Sequence, residues 1–481
     1  MAGRIAWLRA SLLLGISFAV ASCGAMSSVN NTLFGPAGPA EGQAGFVKGF
    51  LGAVVADEPR AALVGRQVLS EGGTAADAAV AIGFALSVTL PSRAGLGGGG
   101  ACVAYATDKD SPNRGVPEAV IFTPLASAAL RSNADRPAAV PMLPRGLYLL
   151  HARYGKRPFE GLIVPAEQLA RFGTPASRAL VRDLNLVAGP LLADPNARAV
   201  FAPSGQPLLE GQQLLQPALG ATFAQLRSSG VGDFYTGVLA RRIESSTPLA
   251  GGPIALDDLR GALPQFLPAI VVPDRSDKVA FLPPPADGGL AAATAFMSLQ
   301  HNASDFATAE ARGLAAAARW RQGGVTDPQS LLTATDLQQA NFPPLPASTS
   351  YLTMDQNGNA VACSLSMDNL FGTGRIVPGL GFLLAASPAN VPSPLYSAAI
   401  AWNENTHAFR AAVSGSGQSG APMAVAMAML NALRTGRAMA AAVPDPGRAN
   451  VIQCSRYVPN ENASCTWAAD PRDAGLAAGG S

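Results

Sequence analysis

From Ala75 to Val88 the chain carries apolar residues on nearly every face of the helix its spacing predicts, so that helix has no side to turn toward water and must be buried. Such burial needs a large surrounding core. The chain has the material for one, with 481 residues, 48% of them hydrophobic and only 14% charged, a balance that excludes disorder, coiled coil and collagen. Thr74, followed three residues later by Asp77, gives the helix a capping-box-like start, and Pro91 ends it. An earlier helix is predicted over Glu58–Ser70, stopped at Gly72-Gly73.

Next comes Gly95-Leu96-Gly97-Gly98-Gly99-Gly100. It formally contains G-x-G-x-x-G, but it lies after a helix and before a strand, the reverse of a dinucleotide fold, and lacks the Lys-Ser/Thr of a P-loop. Its glycines read instead as a place where backbone approaches another element closely, with N–H groups free to bind. A net charge of +2, spread without any Lys/Arg run, gives no footprint for phosphates, and nucleic acid is not an expected partner. His151, His301 and His407 have nothing at metal-ligand spacing beside them, so neither a metal nor another cofactor is expected.

The first segment reads as targeting. Arg4 and Arg9 precede the apolar run Ser11–Ala21, too short to span a bilayer and shaped like a secretory signal over residues 1–22. Val20-Ala21-Ser22-Cys23 resembles a bacterial lipobox, whose cysteine is lipidated after cleavage; an ordinary signal with an incidental cysteine is the other reading. Gly24 rather than Asp follows Cys23, which under the enteric sorting rule favours the outer membrane. The expected location is therefore the bacterial periplasm, with the protein lipid-anchored to a membrane. Residues 24–45, rich in Ser, Asn, Gly and Pro, suit a flexible tether, and folding is expected to start near Phe46. Export would let Cys454 and Cys465, in a polar tail, close a disulfide. Cys102 and Cys363 sit in apolar strand-like runs and read as buried small hydrophobes.

Farther along, Pro144 to about Ser245 alternates helical patterns with Gly/Pro punctuation, and Phe281–Gly289 forms a proline-rich turn before the Ala-rich helix Leu290–Met297. Ser348–Asp355, the turn signal Gln356-Asn357-Gly358-Asn359 and Ala360–Ser366 make a hairpin.

Six stretches, in order and spacing, resemble the γ-glutamyltranspeptidase family of N-terminal nucleophile hydrolases across nearly all of the mature chain: Glu71–Ala81, Gly95–Gly100, Pro283–Gly289, Asp355–Ala362, Phe371-Gly372-Thr373-Gly374 and Gly415–Gly420. The resemblance implies an α/β (α+β) fold, a four-layer αββα sandwich. It also implies a precursor that cuts itself seven residues ahead of the hairpin's Asp, which here is before Ser348. Residues 46–347 would then be the large subunit and 348–481 the small one.

The chemistry of such a site stands on its own. A serine hydroxyl is a poor nucleophile at its free pKa and needs an adjacent base. Once Ser348 is a chain terminus, its own α-amino group, with an unperturbed pKa near 8, serves as that base without histidine or metal. Thr349 is the fallback nucleophile. The family's second hydroxyl falls on Ser366, and the main-chain donors of its oxyanion hole fall on Gln418 and Ser419, where any positive φ would be strained.

Substrate recognition departs further from the family. Its carboxylate-binding Arg falls on Thr123, its acid for the substrate ammonium on Asn390, a Gln on Ser387 and an Asn on Asp368. Its paired serines become Tyr396-Ser397, after a deletion between Asn390 and Pro394. Losing the Arg removes a bidentate charge-assisted contact. Arg93 or Arg375 could present a guanidinium elsewhere; otherwise each is a surface arginine. The expected protein is a self-processing amidohydrolase or acyltransferase acting on a small amide or peptide, with doubtful γ-glutamyl specificity. The alternative is a catalytically degenerate family member serving as a binding or structural lipoprotein.

Overall fold

Helix α2 (Ala75–Thr89) follows α1 (Pro59–Ser70), and every residue of α2 is buried. The computed structural model describes residues 50–111, 113–128, 134–343 and 347–480. The signal, lipobox and tether readings on residues 1–45, Cys23 included, lie outside the described residues. The capping box is formed as expected: the Thr74 hydroxyl accepts from the Asp77 N–H, and the Asp77 carboxylate accepts from the Thr74 N–H.

Two antiparallel sheets carry the fold. In chain order their strands are β1 (Gly52–Ala56), β2 (Gly99–Tyr105), β3 (Glu118–Phe122), β4 (Gln265–Pro268), β5 (Ile270–Asp274), β6 (Asp277–Phe281), β7 (Ser348–Asp355), β8 (Ala360–Ser366), β9 (Ser397–Asn403), β10 (Ala408–Ser416), β11 (Arg448–Val458), β12 (Cys465–Ala468) and β13 (Leu476–Gly479). The first sheet runs β13-β1-β7-β8-β2-β3-β4 and the second β12-β11-β10-β9-β6-β5.

Side chains that alternate along a strand fall on opposite faces of its sheet, and here both faces are apolar. Val55, Val103, Leu352 and Ala362 of the first sheet share one cluster with Ala280, Ile400, Ala412 and Ile452 of the second, which places that core between the sheets. The other face of the first sheet, with Val54, Val120, Tyr351 and Leu365, packs on α2, α3 (Leu143–Tyr154), α4 (Phe159–Phe172) and α5 (Arg178–Leu192). The outer face of the second sheet, with Val279, Ala401 and Val413, packs on α6 (Gly288–His301), α7 (Phe306–Arg321) and α8 (Ala421–Thr435). The layers are thus helix, sheet, sheet, helix, as the resemblance implied.

The hairpin also forms where its turn signal places it. Buried Asp355 accepts hydrogen bonds from the N–H groups of Asn357 and Asn359, from the Asn359 amide and from the Ala75 N–H, so it ties the turn to the start of α2. One expectation is corrected. Cys102 and Cys363 are not free thiols: they stand directly opposite each other in β2 and β8, with Cα atoms 4.1 Å apart, and are bridged. Apolar surroundings hide cysteines of either kind, and the register that pairs them is not visible in the sequence. The Cys454–Cys465 bridge is present as expected.

Candidate active site

Ser348 is the first residue of β7 and is 2% exposed. Its register partner on β8 is Ser366, whose own partner on β2 is Gly99, the residue of the glycine run at which the strand begins. The run is there because backbone must approach backbone: a Cβ on Gly99 would stand 2.2 Å from the Phe122 carbonyl oxygen. Thr123 directly follows β3, whose Phe122 pairs with Gly100. Ser348, Ser366 and Thr123 therefore lie at the same end of the first sheet, with Thr123 three strands across from Ser348.

Two backbone amides point at the Ser348 hydroxyl. The Gly417 N–H lies 3.0 Å and the Gln418 N–H 3.5 Å from Ser348 Oγ. They sit just ahead of helix α8, whose N-terminal end adds partial positive charge to this corner. The resemblance implies Gln418 and Ser419 as oxyanion donors, whereas the amides that face the Ser348 hydroxyl are Gly417 and Gln418, where the chain turns through φ 98° at Gly417 and φ 50° at Gln418. The latter is a strained conformation for a residue other than glycine. Ser419 instead lines a cleft with Phe342, Pro343, Pro392–Leu395 and Gln418.

Ser366 faces the peptide bond itself. Its hydroxyl donates to the Ala347 carbonyl at 2.9 Å and accepts from the Asp368 N–H at 2.9 Å. Thr349 points elsewhere, donating its hydroxyl to Asp57.

Asp368, 1% exposed and at φ 61°, accepts from the Tyr396 hydroxyl through Oδ1 at 3.3 Å, while its Oδ2 has no hydrogen-bond partner among the described residues. Burial pushes its carboxyl up to about 8, against the pull of the Tyr396 hydrogen bond and the Arg321 charge. Tyr396 is fully buried, and burial with the adjacent Asp368 drives its hydroxyl well up. Neither partner of this pair was joined to the other by sequence reasoning, which had placed both only as replacements of other residue types.

The remaining expected positions divide. Ser387 is buried, with its Oγ accepting from the Ala389 N–H, whereas Asn390 is exposed. Ser397, buried on β9, donates to the Leu395 carbonyl. Arg93 is corrected. It is neither a surface residue nor a free guanidinium for substrate, being 3% exposed and engaged by both carboxylate oxygens of Asp183 at 2.7 Å. Arg375 pairs with Asp135. At the cleft, Arg321 is held by Asp287 and the Ser393 carbonyl, with its guanidinium 4.9 Å from the Phe342 ring centre.

The raised Asp368 carboxyl sets a pH dependence of stability. Between about pH 4 and about pH 8 the folded state keeps a proton that the unfolded chain has released, so this group costs progressively more stability as pH rises through that window. Asp368→Asn is expected to melt with the wild type near the lower limit and increasingly above it toward the upper one. Parallel melting curves check this, and a difference constant with pH would refute it.

Comparison with known proteins places the chain. The family model described as gamma-glutamyltranspeptidase matches residues 61–338. Glutathione hydrolase 3 of Arabidopsis thaliana is 32% identical over 271 residues, covering 55% of this chain and 42% of that protein. The glutathione hydrolase proenzyme of Escherichia coli K12 is 28% identical over 385 residues, 69% of this chain and 65% of that protein. The chain thus spans less than two thirds of the length of either relative. Among solved structures, cephalosporin acylase from Bacillus halodurans superposes with a TM-score of 0.71 at 18% identity, covering 92% of this chain and 98% of that one, a likeness of fold. With the family model matched over more than half its length, the chain belongs to the gamma-glutamyltranspeptidase family.

Proposed function

We propose that the chain is the precursor of a self-processing amidohydrolase or acyltransferase that works through an N-terminal Ser348. The observation that carries this reading is the Ser366 hydroxyl donating to the Ala347 carbonyl while Ser348 Oγ rests against two backbone amides. That donor polarises the carbonyl carbon that Ser348 Oγ would attack. The carbon–nitrogen bond of the Ala347-Ser348 peptide breaks as the carbon–oxygen bond forms, and the nitrogen takes the hydroxyl proton. Water then hydrolyses the ester, releasing the Ala347 carboxylate and freeing Oγ beside the α-amino group that the shift has already exposed. In turnover, that amine receives the proton as Oγ attacks a substrate amide, and passes it to the departing amine. Water or a second amine releases the acyl group.

The acyl group in this reading is not an ordinary γ-glutamyl, because Thr123 and Asn390 stand where its charges would be met. The non-catalytic lipoprotein is the less favoured reading, since the relatives matched include glutathione hydrolases. The wild-type protein, run reduced on a denaturing gel, tests the proposal: two fragments support it, and one full-length band after long incubation argues against it.

The location we propose is the bacterial periplasm, lipid-anchored through Cys23. Two disulfides suit an oxidising compartment. Globomycin is expected to accumulate a slower-migrating precursor and Cys23→Ser to release soluble protein. Unchanged membrane association of that variant would place the anchor elsewhere.

A further inference from the structure

Strand β1 pairs with β7 only as far as Ala56 opposite Tyr351. Past that point the Asp57 N–H still reaches the Ser350 carbonyl at 3.3 Å, but among the described residues Ser348 and Thr349 have a strand neighbour on the β8 side alone, and charged side chains meet the other edge. The Asp57 carboxylate accepts from the Ser350 N–H at 2.7 Å, the Thr349 hydroxyl at 3.0 Å and the Asn450 amide at 2.7 Å. Arg93 Nη1 faces the Ser348 carbonyl oxygen at 3.5 Å and Asp473 at 3.7 Å. Asp183 holds the other side of that guanidinium, and Ser92 donates to the same carboxylate. Asp473 in turn accepts from Arg182 at 2.6 Å. Asp57, Arg93 and Asp183 are buried, and so is the side chain of Asp473, at 2% exposure, so their charges act here with little screening by water.

We infer that Arg93 and Asp57 are positioning residues for the N-terminal nucleophile: they hold the free edge of residues 348–350 and set, with opposite signs, the basicity of the Ser348 α-amino group. The inference rests on the proposed cleavage before Ser348. Cutting removes the covalent hold of Ala347, so the new terminus stays in register through β8 on one side and this charged edge on the other. A buried guanidinium one carbonyl away disfavours an ammonium and keeps the amine in the neutral form that accepts a proton. Asp57 favours the ammonium; Asp473 and Asp183 act in the same direction, partly offset by Arg182. On the β8 side the titratable groups are Asp368 and Tyr396, with Arg321 beyond them.

The test uses the full, self-processed protein with p-nitrophenyl acetate as acyl donor, subtracting the rate of Ser348→Ala. Its acid limb in kcat/KM reports the amine. Arg93→Gln is expected to move that limb up by about one pH unit, a loss of about tenfold below it, and Arg93→Lys to restore most of the shift. Asp57→Asn is expected to move the limb down. It removes an anion without leaving a buried charge unpaired, so it decides the matter if Arg93→Gln does not fold. Limbs that stay at the wild-type pH in Asp57→Asn, or shifts of the same sign in Asp57→Asn and Arg93→Gln, would overturn the inference. A wild type that never cleaves, or an esterase activity equal to that of Ser348→Ala, would instead overturn the proposed function on which it rests.

Discussion

Replacing Ser348 by alanine is expected to leave the chain whole and to lower amide turnover by roughly a thousandfold or more, as removal of a covalent nucleophile does. The expectation follows from what remains. Without Oγ, the Ser366 hydroxyl still faces the Ala347 carbonyl, but the Gly417 and Gln418 amides lose the atom they rest against and nothing is left to attack that carbonyl. Ser348→Thr should process at least as well as the wild type, because it keeps the hydroxyl and adds a methyl that restricts χ1. On a reducing denaturing gel the wild type and the threonine variant should each show two fragments, and N-terminal sequencing of the smaller wild-type one should begin Ser-Thr-Ser-Tyr. A start at Thr349, or cleavage persisting in the alanine variant, would remove Ser348 from the role.

The second large effect concerns substrate choice. A γ-glutamyl donor brings an α-carboxylate and an α-ammonium, and each buried charge without a partner costs several kcal/mol of desolvation. Arg93 is taken by Asp183, Arg375 by Asp135 and Arg321 by Asp287, so none of the three is a ready replacement for the missing guanidinium at Thr123. A loss of even ~3 kcal/mol lowers kcat/KM by roughly two orders of magnitude. γ-Glutamyl-p-nitroanilide is therefore expected to turn over at least a hundredfold more slowly than a less polar acyl anilide. Thr123→Arg alone should recover little, since the ammonium would still face Asn390, whereas Thr123→Arg with Asn390→Asp should recover more than either change alone. Efficient wild-type hydrolysis of the γ-glutamyl anilide, lost in Ser348→Ala, would show that another group, with Asp368 the first to examine, has taken over recognition.

What the sequence made legible was local or repetitive. The all-apolar Ala75–Val88 run, the Thr74/Asp77 cap and the Gln356–Asn359 turn each specify their conformation within a few residues, and all three appear in the fold. The count of seven back from Asp355, taken from the resemblance, lands on Ser348, and the two residues prove to be the ends of one strand, β7, along which spacing in sequence becomes distance. The contacts that escaped join residues far apart. Arg93 meets Asp183 through a 90-residue separation, and Asp57 meets Asn450 through 393. An arginine beside a glycine loop gives no local sign of such a partner. Which amides face the Ser348 hydroxyl depends on backbone angles at Gly417 and Gln418, which residue types at those positions do not fix. Cys102 and Cys363 were misread for a related reason, since only the β2–β8 register reveals that they face each other.

That bridge alters what a cut before Ser348 does to the molecule. The Cys102–Cys363 link closes a covalent ring, with 261 residues separating its two ends in sequence, and the Ala347-Ser348 peptide lies inside that ring. Breaking a ring at one point opens it without releasing a piece. The processed protein would therefore remain a single covalent body with two additional ends, its large and small parts crosslinked between adjacent strands of the same sheet. Mass measured without reductant would rise by one water molecule upon cleavage, and only reduction followed by unfolding would set the two chains apart.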